Sequence, residues 1–138
     1  MSGLIYADRH CLVNNFIKQK KRNKMTEFMM IFRNEYEPSV KPTPEQMQAS
    51  IKQWQDWIGG IAAQGKFAGT NRLSSEGKTL MPNHVIADGP YAEVKEIIGG
   101  YLIVKANDIN EAMSLASGCP ILEIGGNVEV RNIIPMNP

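Results

Sequence analysis

The chain has 138 residues, of which 43% are hydrophobic and 21% charged, a composition typical of one globular domain large enough to bury a core. No apolar run approaches the roughly 18 residues that cross a bilayer, so the sequence argues against a membrane-spanning protein. Cys11 and Cys119 stand far apart without metal-ligand spacing, which favours reduced thiols in a cytoplasmic protein over a disulfide framework or a zinc site.

The charge is unevenly distributed along the chain. Residues 1–24 contain six basic residues and one acidic residue, a net charge of +5, whereas residues 25–138 contain nine basic and thirteen acidic residues, a net charge of −4. The basic run at residues 18–24 is typical either of a nucleic-acid patch or of a solvated tail. We predict that residues 1–24 are a basic extension outside the fold, that residues 25–138 form one domain, and that nucleic acid is no partner unless residues 18–24 bind it.

The first half of the domain predicts a strand followed by a long helix. The apolar run Phe28–Phe32 is typical of a buried strand. After a proline-rich loop, Thr43, Pro44 and Gln46 form a capping-box signature at a helix start. Apolar residues then recur at spacings of three or four, which predicts an amphipathic helix of about five turns that ends near Gly65.

The second half alternates short strands, turns and one further helix. Asp108 and Glu111 form a second capping signature that predicts the helix. The pairs Gly59-Gly60, Gly99-Gly100 and Gly125-Gly126 are interpreted as breaks in regular structure. The strands are predicted within Lys66–Leu73, Lys78–Met81, His84–Ala87, Tyr101–Val104 and Asn127–Ile134.

The predicted order of elements is thus strand, long helix, strand, short hairpin, strand, helix and strand. This order predicts an α+β fold, a ferredoxin-like β-α-β-β-α-β sandwich with an extra hairpin. Helices cover such a sheet on one face only, and an uncovered face rich in Val, Ile and Met promotes aggregation. Because pairing two sheets would bury that face, we expect a homodimer.

The segment Asp88–Glu96 is the most distinctive in the chain. Its sequence, Asp-Gly-Pro-Tyr-Ala-Glu-Val-Lys-Glu, lies between two apolar runs and precedes Gly99-Gly100-Tyr101. With these residues and the closing run Gly125–Arg131, the chain resembles the YCII-related, or DGPF-domain, proteins over most of residues 26–135. It departs from the family pattern at Tyr91, where Phe is usual, and in its basic leader.

The resemblance implies a bacterial protein that forms a dimeric α/β barrel of ferredoxin-like subunits. For function it implies either an enzyme that relies on a His and an Asp, or a link to sigma-factor-dependent transcription. His84 and Asp88 are the His and Asp that lie near each other in this sequence, so they are the candidate catalytic residues. On one extended strand they would share a face, with about 13 Å between their Cα atoms.

Each of these two candidates has a structural alternative. His84 is otherwise a partly exposed strand residue near a turn. Asp88 is otherwise a turn former whose carboxylate caps the backbone two residues on. As a general acid or base, Asp88 would instead point into a water-poor cavity.

Five further side chains are predicted to position a polar substrate, namely Tyr91, Glu93, Lys95, Arg72 and Arg33. Glu93 and Lys95 share a face if their segment is extended, and the two arginines stand at strand ends, where they can hold an anion by bidentate contacts. The alternatives are a solvated surface ion pair, which contributes little, and ordinary surface arginines.

The sequence contains no phosphate-binding glycine motif, no Gly-x-Ser-x-Gly and no His-Glu-x-x-His, so we predict neither a cofactor nor a metal. Two functions remain open. One is an enzyme that acts on an unknown small polar molecule with Asp88 as acid or base, and the other is a non-catalytic ligand-binding or regulatory module. A third reading is that the motif is only a turn at a dimer interface.

Overall fold

The computed structural model describes residues 24–35, 41–89 and 96–137. Its strands and α-helices are, in chain order, β1 (Thr26–Glu35), α1 (Pro44–Ala63), β2 (Phe67–Arg72), β3 (Lys78–Leu80), β4 (Ile86–Asp88), β5 (Glu96–Ala106), α2 (Ile109–Ala116) and β6 (Asn127–Asn132). Short 3-10 helices at Pro82–His84 and Pro120–Ile124 lead into β4 and β6. No helix in these residues has the length and apolar character of a membrane span.

A four-stranded antiparallel sheet in the order β2-β5-β1-β6 forms the body of the domain. The helices α1 and α2 pack on one of its faces. β3 and β4 form a separate hairpin that is inserted between β2 and β5. The predicted α+β ferredoxin-like fold with an extra hairpin is therefore confirmed.

The core lies between the helices and every second residue of the two central strands. Because side chains on a strand alternate between the faces of the sheet, the intervening residues of these two strands point to the face without helices. On the helix side, the ring of Phe32 lies 5.1 Å from that of Trp54 and 6.0 Å from that of Trp57, both edge-on. The buried residues of β1 and β5 include Phe28, Met30, Phe32, Leu102, Val104 and Ala106.

Both predicted helix starts are present, but their caps are completed differently. At α1 the Thr43 hydroxyl accepts from the Gln46 amide at 3.2 Å, and Gln46 Oε1 accepts from the Thr43 amide at 3.0 Å, which is a full capping box. At α2 the Asp108 carboxylate accepts from the Glu111 amide at 2.8 Å. The Glu111 side chain does not return to Asp108 but lies 2.8 Å from Lys66 Nζ. This ion pair joins the start of α2 to the segment before β2.

Glu111 gives the fold a pH-dependent contribution to stability. Its hydrogen bond with Lys66 lowers the pKa of the Glu111 carboxyl below the ordinary value of 4.5. The Glu111–Lys66 pair therefore stabilises the fold fully at pH values above 4.5. This stabilisation is lost as the pH falls through the lower pKa that Glu111 has in the folded state. We expect Glu111→Gln to reduce the free energy of unfolding by about 1 kcal/mol at neutral pH, and the difference from the unsubstituted protein to disappear in strong acid.

Urea unfolding at a series of pH values measures this difference. Glu123→Gln is the matched control, since Glu123 is exposed and makes no ion pair with any described residue. A Glu111→Gln difference that stays constant from neutral to acid pH would contradict the assignment.

Two of the three Gly-Gly pairs do not interrupt regular structure, so their interpretation as breaks is wrong. Gly59-Gly60 lie inside α1 and Gly99-Gly100 inside β5, whereas Gly125, with a φ of 83°, does lie in a turn. In β5 the glycine meets a steric need, because a Cβ on Gly100 would lie 2.9 Å from the backbone oxygen of Asn71 in β2. β5 starts at Glu96, earlier in the chain than the apolar run Tyr101–Val104 indicates.

Cys119 is buried beside α2, with 2% of its surface exposed. Burial raises the pKa of its thiol from an ordinary 9.0 to about 11, so the reactive thiolate is about 100-fold scarcer at mildly alkaline pH than in the unfolded chain. In a Cys11→Ser variant, which leaves Cys119 as the remaining thiol, we expect a disulfide reagent such as DTNB to react slowly before denaturation and promptly after it. Equally fast reaction in both states would show that the thiol is accessible in the fold.

Candidate functional site

The ends of β1 and β2 and the start of β5 meet at one edge of the sheet, because neighbouring antiparallel strands run in opposite directions. A cleft of about 510 Å³, open to solvent, lies at this edge. Its size is in the range of small-molecule sites. We call it the strand-end cleft, and its lining residues are Asn34, Glu35, Arg72, Leu73, Ser74, Ser75, Ile97 and Gly99.

Hydrogen bonds fix the backbone around the strand-end cleft. The Leu73 amide donates to the Gly99 carbonyl at 2.9 Å, which holds the chain after β2 against β5. The Glu35 amide donates to Asn34 Oδ1 at 2.9 Å, and the Glu76 amide donates to the Ser74 hydroxyl oxygen at 3.0 Å. None of these three hydrogen bonds uses the charged side chain of Arg72 or Glu35.

The lining of the strand-end cleft includes two residues of opposite charge, Arg72 and Glu35. Both residues are exposed, and neither makes an ion pair with a residue that the structure describes. The planar guanidinium of Arg72 can donate two parallel hydrogen bonds to a carboxylate or phosphate. The Glu35 carboxylate can accept hydrogen bonds from a cationic or hydroxyl group.

Arg33, the second predicted anion-binding arginine, does not line this cleft. Its guanidinium Nη1 lies 3.4 Å from the Glu129 carboxylate of β6. An anion at Arg33 would therefore have to compete with a carboxylate of the protein itself. Its predicted role in substrate binding stays a prediction.

Asp88 is the last residue of β4, at the base of the hairpin, opposite Lys78 of β3. Two hydrogen bonds close this base, since the Gly89 amide donates to the Gly77 carbonyl at 2.6 Å and the Thr79 hydroxyl donates to the Gly89 carbonyl at 3.0 Å. The Asp88 carboxylate is exposed and makes no hydrogen bond with any residue in the described parts of the chain. The carboxylate thus neither caps an amide of the described chain nor lines the strand-end cleft.

His84 lies at the tip of the same hairpin, in the 3-10 turn Pro82–His84 and outside β4. The expectation that it belongs to the strand is wrong. Asn83 and His84 adopt left-handed φ values of 69° and 62°, which bend the chain before the strand begins. The Met81 amide closes this loop on the Val85 carbonyl at 2.6 Å. Alternation along one strand therefore does not place His84 on the face of Asp88.

The other predicted site residues, Tyr91, Glu93 and Lys95, lie outside the described residues, as do residues 1–23 with most of the basic run. Of the seven predicted site residues, the structure thus places Arg72 in the cleft lining, Arg33 beside Glu129, Asp88 at the end of β4 and His84 in the turn before β4.

Sequence reasoning missed most of the polar lining of the cleft. Asn34 and Glu35 directly follow the apolar run that predicts β1, and Ser74 and Ser75 follow β2, where they were interpreted only as a turn. The available signal was their common position at strand ends. Once the strand order is known, these ends fall at one edge of the sheet.

The face of the sheet without helices presents a second candidate surface. At its centre lie Met29, Ile31, Tyr101 and Ile103, each partly exposed. The pair Arg33–Glu129 lies on the rim. We call this surface the open sheet face.

A smaller groove of about 300 Å³ separates α1 from α2. Trp57 is part of its lining, and the indole nitrogen of Trp57 donates a hydrogen bond to the Leu115 carbonyl at 3.0 Å. Asp56 is the charged residue of its lining. Nowhere in residues 24–35, 41–89 and 96–137 do three His, Cys, Asp or Glu side chains come together as a metal site would require.

The comparison with known families agrees with the motif. The model of the YCII-related domain matches residues 27–137, from the start of β1 to beyond β6. A search of curated proteins gives no match. The resemblance inferred from the segment Asp88–Glu96 is confirmed, and the chain belongs to the YCII-related domain family.

Proposed function

We propose that this YCII-related protein binds a small polar molecule with an anionic group in the strand-end cleft. One observation carries the proposal: Arg72 lines a cleft of ligand size and makes no ion pair with a described residue. A guanidinium that no described residue neutralises can form a bidentate contact with a carboxylate or phosphate. Uncharged polar groups of Asn34, Ser74 and Ser75 lie in the same lining and can orient the rest of the ligand.

The test is a thermal-shift screen with small carboxylates and organic phosphates, followed by calorimetry on the compounds that stabilise the protein. Arg72→Ala should weaken their binding by about tenfold or more, because a hydrogen bond to a charged group contributes about 1.5–3 kcal/mol. Lys52→Ala, which removes an exposed charge from α1, should leave affinity unchanged. Equal affinities of the Arg72 variant and the unsubstituted protein would rule out the cleft as the anion site.

Catalysis on the bound molecule is the more specific form of the proposal, with Asp88, which lies outside the cleft lining, as general acid or base. It is supported by the order of the sequence, because the segment Asp88–Glu96 starts with the last residue of β4 and immediately precedes Ile97 of the cleft lining. Asp88 is exposed, however, and acid/base chemistry favours a carboxylate shielded from water.

The hairpin itself suggests how such shielding could arise. Asp88 lies two residues from Ile86 on β4, and Ile86 pairs across the hairpin with Leu80, so the three side chains share one face. Leu80 and Ile86 are each 64% exposed. Whatever covers this apolar pair would also remove water from the Asp88 carboxylate.

Asp88→Asn separates the catalytic form of the proposal from the alternative, a non-catalytic ligand-binding or regulatory module of the kind linked to sigma-factor-dependent transcription. If Asp88 is the acid or base, compounds identified in the screen are converted by the unsubstituted protein, and Asp88→Asn abolishes turnover while the melting temperature and ligand affinity persist. If the bound compounds are recovered unchanged from the unsubstituted protein, the module reading is correct and the catalytic form fails.

We also propose that the protein is a homodimer in which two open sheet faces pack together. Support comes from the chemistry of that face, whose apolar centre of Met29, Ile31 and Ile103 is surrounded by a rim in which Arg33 and Glu129 already neutralise each other. Such a surface fits a second copy of itself, because an isologous contact matches apolar centre to apolar centre.

Sedimentation equilibrium tests the dimer. A charge at the centre of the open sheet face, in Ile31→Lys, should give a folded monomer, because a lysine there would be buried without a partner in the dimer. Ile51→Lys on the exposed side of α1 is the matched control and should remain dimeric. A monomeric unsubstituted protein, or an Ile31→Lys variant that stays dimeric, would contradict the proposal.

A further inference from the structure

We propose that the anionic group bound in the strand-end cleft is the phosphate of a phosphate monoester. This inference rests on the proposed function, which leaves carboxylates and phosphates open, and specifies which of the two the cleft prefers. Two observations carry it. Arg72 and Asn34 point to the same side of the sheet, and the hydrogen bonds of the lining leave it rich in donors.

The strand pairing places Arg72 and Asn34 on the side of the sheet that carries the helices. Arg72 pairs with Gly100 of β5, and Gly100 pairs with Phe32 of β1, which is buried beneath the helices. Asn34 follows Phe32 by two residues on the same strand, so its side chain points to the same side. Glu35 is one residue further and points to the other side. An anion at Arg72 on the helix side therefore does not face the Glu35 carboxylate.

The hydrogen bonds of the lining use acceptors and leave donors. Asn34 Oδ1 accepts from the Glu35 amide at 2.9 Å, which orients the carboxamide and leaves the N–H groups of Nδ2 without a described acceptor. The Ser74 hydroxyl oxygen accepts from the Glu76 amide at 3.0 Å, while its hydrogen is donated to no group in residues 24–35, 41–89 and 96–137. The Ser75 hydroxyl makes no hydrogen bond within the same parts of the chain.

A phosphate uses this set of donors more fully than a carboxylate does. The guanidinium of Arg72 holds two oxygens of either group in a bidentate contact. A carboxylate has no further oxygen, whereas a phosphate monoester has a third strong acceptor oxygen and an ester oxygen. The Asn34 amide and the hydroxyls of Ser74 and Ser75 can donate to these. Arginine together with uncharged Ser and Asn side chains is a common set of phosphate ligands.

The floor of the cleft has room for a tetrahedral group. Gly99 is the extra residue of β5 at the bulge where its pairing with β1 shifts, and β5 lies between the strands of Arg72 and Asn34. The Gly99 carbonyl accepts from the Leu73 amide, so Gly99 adjoins the residue that follows Arg72. A Cβ on Gly99 would meet no atom within 4 Å. The backbone of β5 is therefore open to a ligand at this point of the lining.

Calorimetry with two matched pairs of probes tests the inference, phenyl phosphate against benzoate and glycerol 3-phosphate against glycerate. We expect each phosphate to bind the unsubstituted protein about tenfold more tightly than its carboxylate partner, because the phosphate forms further hydrogen bonds. The double substitution Asn34→Ala/Ser75→Ala should weaken binding of the phosphates about tenfold and of the carboxylates less than about twofold.

Two further variants serve as controls. Ser75→Ala alone breaks no hydrogen bond between described residues, so it should weaken the phosphates selectively, to a smaller extent, without lowering the melting temperature. Ser50→Ala, which removes an exposed hydroxyl from α1, should change neither class of affinity.

Three results would overturn the inference while leaving the proposed function in place. The first is a carboxylate that binds as tightly as its phosphate partner in an Arg72-dependent manner. The second is an equal effect of the Asn34→Ala/Ser75→Ala substitution on phosphates and carboxylates. The third is Arg72-dependent binding of other carboxylates from the screen while both phosphates stay unbound. If no compound binds in an Arg72-dependent manner, the proposed function fails, and the phosphate inference fails with it.

Discussion

Leu102→Ala should lower the free energy of unfolding by about 2–5 kcal/mol, the range observed when a fully buried leucine is truncated. Leu102 has no exposed surface, and on β5 it pairs with the equally buried Met30 of β1. The substitution removes apolar contacts and leaves a cavity between the sheet and the helices, which the antiparallel pairs on both sides of β5 prevent from collapsing.

Chemical denaturation of the Leu102→Ala variant measures this effect. Leu122→Ala is the matched control, because the Leu122 side chain is 46% exposed and its truncation should change stability by less than about 1 kcal/mol. Similar effects of the two substitutions would mean that the sheet and the helices do not pack as described.

Gly126→Ala should destabilise the protein by about 1–3 kcal/mol through overpacking. A Cβ at this position would lie 2.5 Å from Ile121 Cγ1 and 2.7 Å from the Arg33 carbonyl oxygen. The first contact can be relieved by moving a side chain, but the second involves the backbone of a central strand. The approach of the 3-10 helix Pro120–Ile124 to β1 therefore requires glycine here.

Gly59→Ala provides a control of opposite sign. A Cβ on Gly59 would meet no atom within 4 Å, and Gly59 lies inside α1. Replacing a helical glycine with alanine typically stabilises by about 0.4–1 kcal/mol. Thermal unfolding of both variants should therefore show shifts in opposite directions, and a Gly126→Ala protein as stable as Gly59→Ala would contradict the packing at the start of β6.

The features that could be predicted from the sequence are those set by neighbouring residues. Thr43 and Gln46 cap α1 as predicted because the capping box involves residues three apart. The run Phe28–Phe32 indicated β1 because a short continuous apolar run is typical of a buried strand. From such local signals the element order follows, and the element order is enough to identify the ferredoxin-like plan.

The features that could not be predicted depend on residues distant in the chain. Gly100 looks like a break, yet it lies inside β5, where the close approach of the Asn71 backbone leaves no room for a Cβ. His84 looks like a strand residue, yet its left-handed φ places it in a turn. Glu35 and Arg72 line the same cleft because their strands lie close together in the sheet. The order of strands in a sheet is set by tertiary contacts, so neighbouring residues do not reveal it.

The motif and the cleft contribute differently to the functional account. The segment Asp88–Glu96 identified the family, and its first residue proves to be an exposed carboxylate at the base of a hairpin. The cleft was not apparent from the sequence, yet it provides the cation on which the proposed binding function depends. The motif thus indicates membership more directly than it indicates chemistry.

The most direct test is to map the ligand on the protein by two-dimensional amide NMR, with the tightest compound from the thermal-shift screen. Occupation of the strand-end cleft predicts the largest chemical-shift changes at Asn34, Glu35, Leu73, Ser74, Ser75, Ile97 and Gly99, and their loss in Arg72→Ala. Changes centred instead on the groove around Trp57 and Gly118, or on the open sheet face at Ile31 and Ile103, would contradict the assignment of the cleft as the ligand site.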